Sequence, residues 1–490
     1  MTQLNSSFSE ALRAQTPTDI KVISQGDVAY EDACATWNVR SQYRPLAVVQ
    51  PKTANEVSTV IQSANKLGLG QVAVRGGGHS FEGLCLGGQD GALVIDMMNM
   101  KAVSSVPDKN ELTAQGGGLL SDIHMHAFEN GRKMVPLGTC PSVGVGGHIQ
   151  CGGYGFYSRT YGPLVDRAIS FEVVTANGEI TVASDSHNAD LFYALRGSGM
   201  GSFGVITSMT LRTNDVPNTV ANFSIVWDLK ASDIPQILTK AQAACLDAPL
   251  FFNPMVMAWV GKFEIFGTIL APSETTRDAS WERFLSFLPQ PGSVKMHPMD
   301  YLESVMDISK QQTSAPWYAD LKAVQRERRE HFRYMKIKSG FLPEPLDDGL
   351  MQAIGDFLAT QPLTGVRVQL LALDAADEGT LNTSARTRRC NWLMGMSVYL
   401  TKRDHAEEEL IPEGKRRFPW LNQAYNLFRP LSEGAYLGDD DLEEAKESNS
   451  LMESFYGPHL PRLQVVKEKY DPQNLFNHPL SIPLPVNHSI

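Results

Sequence analysis

A histidine follows three consecutive glycines in the segment VRGGGHS, residues 74–80. These residue types together could bind a ligand and react with it. Glycine runs weaken regular structure, so they indicate backbone conformations or close contacts that side chains would forbid. Such a loop can turn its amide groups towards an anion such as a diphosphate, with Arg75 as a positively charged partner. His79 would then stand beside the bound group as a candidate reactive imidazole, although a lone histidine is more often structural.

Further glycine clusters occur at residues 115–118, 144–155 and 197–204. The last cluster contains a Gly-x-Gly-x-x-Gly pattern that runs from Gly199 to Gly204. A dinucleotide-binding loop needs a strand before these glycines and a helix after them. Here the helical segment ADLFYALR comes first and the strand-like segment VITSMTLR follows. The cluster therefore predicts close backbone approach and argues against a Rossmann fold.

The elements around His79 are predicted to form a βαβ unit. A strand in RPLAVVQP is followed by a helix whose start, Thr53 and Glu56, fits a capping box, and the strand QVAVR then leads into the glycines. GALVIDMMNM and ELTAQGGG predict further strands, and SFEVVTANGEITVAS predicts a hairpin that turns at its Asn-Gly pair. The histidine thus lies in a loop that follows a strand.

Glycine content and the pattern of apolar residues divide the chain into three parts. Residues 1–215 form a glycine-rich α+β part, and residues 216–415 alternate strands such as FEIFGTILA with amphipathic segments such as LDDGLMQAIGDFLATQ. The middle part is therefore predicted to be an antiparallel sheet covered by helices, and residues 416–490 return to turns and extended segments. The charged run RERREHFRYMK, residues 326–336, is interpreted as a solvated helix face.

Composition excludes several classes of function. The formal net charge of -11 repels polyanions, which argues against nucleic acid as a partner, and no apolar run has the length of a membrane span. The six cysteines contain no Cys-x-x-Cys pair, so no metal site is predicted. The first residues lack the apolar segment of a secretory signal, which predicts a cytoplasmic protein, or a secreted one if a signal preceded this numbering.

Several motifs together resemble one known family. They are WNVRSQYRPLAVVQP, VRGGGHSFEG, GTCPSVGVGGHIQCGGYGFYSRTYG, ADLFYALRGSGMGSFGVIT and RLQVVKEKYDPQNLFNHPLSIP. In this order they are typical of the FAD-linked oxidases of the vanillyl-alcohol oxidase and p-cresol methylhydroxylase superfamily, in the berberine bridge enzyme-like branch that includes oligosaccharide oxidases. The middle 200 residues match only loosely, through KSGFLPEPL.

The resemblance implies an α+β fold with an FAD-binding domain of the p-cresol methylhydroxylase type, formed by residues 1–215 and 416–490, and a substrate domain inserted between them. It also implies that FAD is bound covalently, through His79 to the 8α-methyl carbon and through Cys140 to carbon 6. Val143 matches a position where valine leaves room for dioxygen, which favours an oxidase. The cofactor-binding residues implied by the motifs are Arg75, Gly76, Gly77, Gly78, His79, Ser80, Cys140, Val143, Gly144, Gly147, His148, Gly153, Tyr154, Gly204, Ile206 and Asn474.

The catalytic base is where the sequence departs from the family. Relatives often use the second tyrosine of an Ala-Tyr-x-Asn-Tyr pattern, whereas this chain reads AYLGD, residues 435–439. Tyr436 matches the first tyrosine and Asp439 replaces the second, so a carboxylate would take the substrate's hydroxyl proton if burial raises its pKa. The alternative interpretation is that Asp439 and the two aspartates after it form a solvated turn before a helix.

The function that the sequence favours is hydride transfer from a hydroxyl-bearing small molecule, a sugar or a specialised metabolite, to the flavin, with dioxygen reduced to hydrogen peroxide. Two alternatives stay open. The same flavin could drive oxidative cyclisation or desaturation of a metabolite, or the protein could bind flavin without catalysis. Neither the substrate nor the oligomeric state follows from the sequence. Trp259, Trp317, Gln369 and Trp392 are polar or aromatic candidates for the substrate domain.

Overall fold

The structure is a computed structural model, and it describes residues 2–106, 108–313, 324, 333–360, 364–373, 382–385, 390–402, 405–443 and 451–485. Its strands, in chain order, are β1 (Lys21–Ser24), β2 (Ala47–Gln50), β3 (Val72–Arg75), β4 (Leu93–Asp96), β5 (Val103–Ser105), β6 (Glu111–Gln115), β7 (Lys133–Met134), β8 (Ala168–Val174), β9 (Ile180–Ser184), β10 (Val205–Arg212), β11 (Asn214–Asp215), β12 (Ala221–Asp228), β13 (Phe252–Trp259), β14 (Lys262–Ile269), β15 (Ser293–Pro298), β16 (Arg333–Leu342), β17 (Val366–Ala372) and β18 (Trp392–Thr401).

The helices, in chain order, are α1 (Thr2–Gln15), α2 (Tyr30–Ala33), α3 (Ala54–Lys66), α4 (Leu120–Glu129), α5 (Val145–Gln150), α6 (Ser158–Tyr161), α7 (Ala189–Leu195), α8 (Ile234–Asp247), α9 (Glu274–Ser286), α10 (Tyr301–Thr313), α11 (Asp348–Thr360), α12 (Leu410–Arg416), α13 (Phe418–Phe428), α14 (Leu451–Tyr456) and α15 (Leu460–Tyr470). Within the described ranges, none of them has the length and hydropathy needed to cross a membrane.

The first sheet contains the predicted βαβ unit. Strands β2, β4 and β3 run parallel in the order β1-β2-β4-β3, and α3 connects β2 to β3. The helix begins where the sequence predicts, because the Thr53 side chain accepts a hydrogen bond from the Glu56 amide and the Glu56 carboxylate accepts one from the Lys52 N–H. Strand β3 is buried and ends at Arg75, which places the glycine loop at its carboxyl end.

The second sheet is antiparallel, in the order β5-β6-β10-β8-β9. Strands β8 and β9 form the predicted hairpin, and Gly178 in its turn has a φ of +84°, which glycine adopts without strain. The glycines at 197–204 lie between α7 and β10, so the helix does precede the strand. This order confirms that the Gly-x-Gly-x-x-Gly pattern is not a Rossmann loop.

The middle of the chain forms an antiparallel seven-stranded sheet, in the order β15-β12-β14-β13-β17-β18-β16. Helices α8, α11 and α13 pack against it through a shared apolar core. Helix α13 lies beyond residue 415, where the sequence analysis ended the substrate domain, but it packs on this sheet through Trp420, Leu421 and Phe428. The packed unit around this sheet therefore extends at least to residue 428.

The interpretation of the charged run at 326–336 as a solvated helix face is wrong for the part that the structure describes. Arg333 to Lys336 belong to β16, and all ten residues of that strand are buried. The strand lies between α12 and α13 on one side and the glycine-rich part on the other, so charged side chains here need partners inside the protein. Residues 326–332 lie outside the described ranges.

The C-terminal segment packs on the N-terminal part through a buried ion pair. Lys467 Nζ lies 2.7 Å from Asp471 Oδ2 and also donates to the carbonyl oxygens of Ser202 and Phe476. The amide of Val72 in β3 donates to the carbonyl of Leu475. These contacts join residues from both ends of the chain behind the glycine loop.

The glycine loop itself makes a contact that no side chain would permit. A Cβ atom on Gly77 would lie 2.4 Å from the amide nitrogen of Gly144 and 2.6 Å from the carbonyl oxygen of Ser142. We expect Gly77→Ala to destabilise the protein by about 3 kcal/mol, because the obstructing atoms are backbone and cannot rotate away. The matched control is Gly70→Ala, since a Cβ there would meet nothing within 4 Å. Thermal unfolding of both variants checks the difference, and equal midpoints would contradict it.

Candidate active site

A cavity of about 300 Å³ opens where the glycine loop, the segment after Cys140, the seven-stranded sheet and the residues after Tyr436 meet. This is the size of a small-molecule site. The residues singled out in the sequence that line it are Gly76, Gly77, Gly78, His79, Ser80, Cys140, Val143, Gly144, Gly147, His148, Ile206, Tyr436 and Asp439. Positions distant in sequence are thus brought to one cavity.

One side of the cavity, called here the glycine floor, consists of main-chain atoms that no side chain covers. Gly77 and Gly144 cross at a separation that excludes a Cβ atom on either residue, Gly76 lies beside this crossing, and a Cβ on Gly146 would lie 2.5 Å from the carbonyl oxygen of Gly116. All five glycines line the cavity. Because the main chain is uncovered there, an extended group can approach its amides closely, as diphosphates do in glycine-rich loops.

His79 is held in place by neighbours on two sides. Its Nε2 lies 2.9 Å from the hydroxyl oxygen of Ser142, and its ring stacks on Trp37 with centroids 5.3 Å apart. Ser142 is fully buried two residues after Cys140. The hydrogen bond therefore ties the histidine loop to the cysteine segment, and His79 and Cys140 line the same cavity.

The Cys140 segment is fixed by a buried histidine. His148 Nε2 accepts a hydrogen bond from the Gly138 amide at 2.9 Å, and burial lowers the pKa of His148 to about 4, so its ring is neutral. Val143 closes a turn by donating its amide to the carbonyl of Cys140. His148 thus orients the turn that carries Cys140.

Arg75 is not where the sequence analysis expected it. Its side chain points away from the glycine loop, into the interior, where it forms an ion pair of 2.6 Å with Asp96 and donates to the carbonyls of Ala33 and Ala35. The residue is 2 % exposed and does not line the cavity. Its positive charge therefore compensates the buried carboxylate of Asp96 at the end of β4, and an anion bound at the glycine loop would depend on backbone amides.

Four other expected cofactor residues also lie outside the lining of this cavity. Gly153 has a φ of +78° and packs against Leu164, and Gly204 has a φ of +148° where β10 approaches β8. Tyr154 packs edge-on against Tyr436 from behind, with centroids 5.3 Å apart. Asn474 has a φ of +53° in the turn after α15, where its amide donates to the Asp471 carbonyl. These contacts shape the backbone and support Tyr436, and cofactor binding by the four residues stays a prediction.

The three consecutive aspartates do not form a solvated turn. Asp440 and Asp441 are buried, and Asp439 faces the cavity, so the alternative interpretation is wrong. Burial raises the pKa of Asp439 to about 7, an effect that the charge of Asp440 reinforces and the hydroxyl of Ser339 opposes. Burial also raises the pKa of Asp440 to about 7. Two adjacent carboxyl groups that titrate near neutrality are suited to proton transfer.

Asp440 connects the aspartates to the histidine loop. Its carboxylate accepts hydrogen bonds from Ser80 Oγ at 2.6 Å, Phe81 N–H at 2.8 Å and Glu82 N–H at 3.3 Å. Because Ser80 follows His79 directly, this carboxylate fixes the loop that carries the imidazole. Its oxygens are occupied by these donors, which makes Asp439 the better candidate to meet a ligand.

Tyr436 lines the cavity beside Asp439 but is poorly suited to be a base. Burial raises its pKa well above the ordinary value for tyrosine. Its ring explains the glycine at 438, because a Cβ there would lie 2.4 Å from Cζ of Tyr436. The ring of Tyr436 thus occupies the space that a side chain at position 438 would need.

Behind the aspartates lies a buried network of three cations and three anions. Lys336 pairs with Glu82, Asp441 and Glu443, and Lys338 pairs with Asp441 at 2.8 Å. Arg40 completes the network by pairing with Glu82 and Glu443. The charges within these six groups balance, so this network leaves the Asp439 and Asp440 carboxyl groups without a surplus of positive charge.

The wall that the sequence analysis missed comes from the seven-stranded sheet. It consists of Met335, Ile337, Arg367, Gln369 and Tyr399, with Trp37 and Phe81 beside it. Gln369, one of the candidates for the substrate domain, belongs to this wall. Of the other candidates, Trp392 is buried in the core and Trp259 packs in an apolar cluster, neither lining the cavity, and Trp317 lies outside the described residues. Alternation along these strands is the signal that could have found this wall.

Two family models match the chain. The model described as FAD binding domain matches residues 45–184, and the model described as berberine and berberine like matches residues 435–483. Among the described residues, no group of three or more histidine, cysteine or acidic side chains could hold a metal ion.

The cavity fits FAD on its own geometry. The exposed backbone of the glycine floor can receive a diphosphate, and an imidazole and a thiol, His79 and Cys140, face the same space. Cys151 also lines the cavity, but burial raises the pKa of its thiol, which disfavours the reactive thiolate.

Full-length relatives agree with the family models. The chain is 27% identical over 478 residues to the FAD-linked oxidoreductase dpmaF of Metarhizium anisopliae, a match that covers 94% of this chain and 89% of the relative. It is 26% identical to the glucooligosaccharide oxidase of Sarocladium strictum, covering 95% and 92%. Among solved structures, Physcomitrella patens BBE-like 1 superimposes with a TM-score of 0.86 at 26% identity, covering 98% and 99%. This chain therefore carries an FAD-binding domain and a berberine-like C-terminal segment, resembles the berberine bridge enzyme-like flavoproteins over more than nine-tenths of its length, and is an FAD-dependent oxidoreductase with a p-cresol methylhydroxylase-type fold.

Proposed function

We propose that the protein is an oxidase that removes hydride from a carbon bearing a hydroxyl group on a small molecule. The observation that carries the proposal is Asp439, a cavity-facing carboxyl group with a pKa raised to about 7 by burial, in the same cavity as His79 and Cys140. When bound, FAD would accept the hydride and pass two electrons to dioxygen, giving hydrogen peroxide.

Asp439 acts as the general base in this proposal. Its ionised form takes the hydroxyl proton of the substrate, while Asp440 stays hydrogen-bonded to the histidine loop and keeps the base in position. Tyr436, packed between Tyr154 and Phe341, forms a rigid wall beside the base.

His79 and Cys140 are proposed as the two points of covalent attachment. Ser142 and Trp37 orient the imidazole, and the turn fixed by His148 orients the thiol. Two attachments hold the ring system in a cavity that is open to a bulky substrate, and they prevent loss of the cofactor.

Oxidase activity can be tested before a substrate is known. The purified protein is reduced with dithionite without air and then mixed with aerated buffer. We expect the oxidised flavin spectrum of the wild type to return rapidly, with formation of hydrogen peroxide. We expect a slower return in Val143→Leu, because the larger side chain fills the space beside the cofactor that valine leaves for dioxygen. Reoxidation as slow in the wild type as in the variant would contradict an oxidase.

The balanced ion network gives a pH prediction with opposite signs in two variants. Glu82→Gln removes a negative charge beside Asp440, which lowers the pKa of the coupled Asp439–Asp440 pair as a whole and is expected to move the acid limb of the pH–rate profile down by about 0.5 to 1 pH unit. Lys338→Met removes a positive charge and is expected to move the limb up by a similar amount. Neither residue lines the cavity. Shifts in the same direction would indicate structural damage instead.

An oxidative cyclisation or desaturation stays as the second candidate. The apolar side chains of Trp37, Phe81, Met335 and Ile337 on the cavity wall favour a metabolite with an apolar body. Mass spectrometry of the product distinguishes the two outcomes, since an oxidised carbonyl and a new ring or double bond leave different fragments.

A further inference from the structure

Two cysteines line the cavity, and the charges beside them have opposite signs. Burial raises the pKa of the Cys151 thiol, and the nearby carboxyl groups of Asp440 and Asp439 raise it further. Cys140 instead interacts electrostatically with the buried guanidinium of Arg367. Because a neighbouring cation favours a thiolate and a neighbouring carboxylate disfavours it, the cavity distinguishes the two thiols by charge.

The seven-stranded sheet brings Arg367 to the cavity. In the register of three adjacent strands, Ile337 of β16 lies opposite Ser397 of β18, which lies opposite Arg367 of β17. Ile337 and Arg367 both line the cavity, as does Gln369 two residues further along β17. Side chains two residues apart share one face of a strand, so this face of β17 is turned towards the cavity. Arg367 Nε donates to Ser397 Oγ at 3.1 Å, which fixes the side chain there.

A row of aromatic rings connects Arg367 with the segment that carries Cys140. The guanidinium carbon lies 4.9 Å from the centre of the Tyr399 ring, and this ring stacks on Trp37 with centroids 6.3 Å apart. Trp37 stacks in turn on His79, whose imidazole is hydrogen-bonded to the segment that follows Cys140. The cation therefore belongs to the same cluster of groups as the imidazole and the thiol.

We propose that Arg367 activates Cys140 for attachment to the cofactor, by stabilising the thiolate from which the bond to carbon 6 of the flavin forms. This role rests on the proposed attachment through Cys140, and it explains why this thiol reacts and that of Cys151 does not. The thiolate sulfur forms the bond to carbon 6, the hydrogen of that carbon leaves as a proton, and the two electrons left on the ring system pass to dioxygen. The guanidinium keeps its charge throughout, so Arg367 is a positioning residue.

The positive charge, and not the length of the side chain, is what this role requires. Arg367→Met keeps much of the length without the charge, and it is expected to lower the thiolate population of Cys140 about tenfold to hundredfold, the usual effect of one nearby opposite charge. Arg367→Lys restores the charge and is expected to recover most of the attachment. The bond through His79 needs no thiolate, so it should form in both variants.

Digestion with trypsin separates the two attachment points. Cleavage after lysine and arginine releases residues 76–101, which contain His79, and residues 134–159, which contain Cys140. Wild type and variants are harvested at the same short time after induction of expression, and their peptides are compared by mass spectrometry. In the wild type, one flavin should join the two peptides, with fragmentation placing the second bond at Cys140 and not at Cys151. In Arg367→Met, the joined species should fall at least tenfold, and the flavin should remain on residues 76–101.

The flavin on residues 76–101 is an internal control, because it shows that the variant has folded and bound FAD. An undiminished yield of joined peptides in Arg367→Met would overturn the proposal. Loss of flavin from both peptides would also overturn it, since the guanidinium would then serve cofactor binding as a whole, and so would equal losses in Arg367→Met and Arg367→Lys. A wild-type protein with no flavin on residues 134–159 would contradict the proposed attachment through Cys140 itself, and with it the role of Arg367.

Discussion

Replacing Asp439 by asparagine is expected to slow hydride transfer by a factor of about 10² to 10⁴, the usual contribution of a positioned general base. The amide has the same shape but cannot take a proton. In the wild type the rate should rise as pH increases through about 7, because only the ionised carboxylate of Asp439 is active. Stopped-flow bleaching of the flavin without air measures this step, and in the variant the pH dependence near 7 should disappear.

Tyr436→Phe is the matched control for this prediction. It keeps the ring that packs against Tyr154 and Phe341 and removes only the hydroxyl group. Because the pKa of Tyr436 is raised far above neutrality, we expect a reduction of about tenfold or less, from lost orientation of the substrate. If the tyrosine variant loses as much activity as the aspartate variant, the roles of the two residues must be exchanged.

The second large effect concerns cofactor attachment. After acid precipitation, the flavin should stay in the pellet with the wild type, with His79→Ala and with Cys140→Ala, and should be released only from the double variant. The physical reason is that either bond alone is sufficient to hold the ring system. Absorbance of pellet and supernatant, with mass spectrometry of the pellet, measures the result.

Cys151→Ala is the control for the double variant. This cysteine lines the same cavity, but its buried thiol has a raised pKa and resists forming a thiolate. Its removal should therefore leave the flavin attached. Release of flavin from the unmodified protein by acid would contradict covalent attachment altogether.

Local signals in the sequence were sufficient for much of the glycine-rich part. The Thr53 cap, the hairpin at Gly178 and the helix-before-strand order at 197–204 are each determined by neighbouring residues, and the structure confirms all three. The family motifs led to the fold class and to FAD in the same way. Backbone propensities and glycine conformations act over a few residues, so a single sequence carries them.

Long-range pairing is what the sequence could not provide. Arg75 has the residue type of an anion ligand, but its charge is neutralised by Asp96, whose position depends on the pairing of β3 with β4. The sequence places Lys336 in a run of charged residues that is typical of a solvated helix face, because its partners, Glu82 and Asp441, are distant in sequence. The cavity face of Arg367 depends on the register of three strands, which periodicity within one strand does not determine.

The ion network behind the aspartates also has a consequence for biosynthesis. Lys336 and Lys338 are buried in β16, and the carboxylate that they share belongs to Asp441, about one hundred residues later in the chain. Before Asp441 is available, Glu82 neutralises Lys336 but the buried Lys338 lacks the carboxylate that it pairs with, so we expect β16 to reach its final place only after the later segment has left the ribosome. Binding of the cofactor is then expected to follow translation of Asp441. A nascent chain that stalls earlier would have an incompletely folded site, which chaperones and proteases recognise.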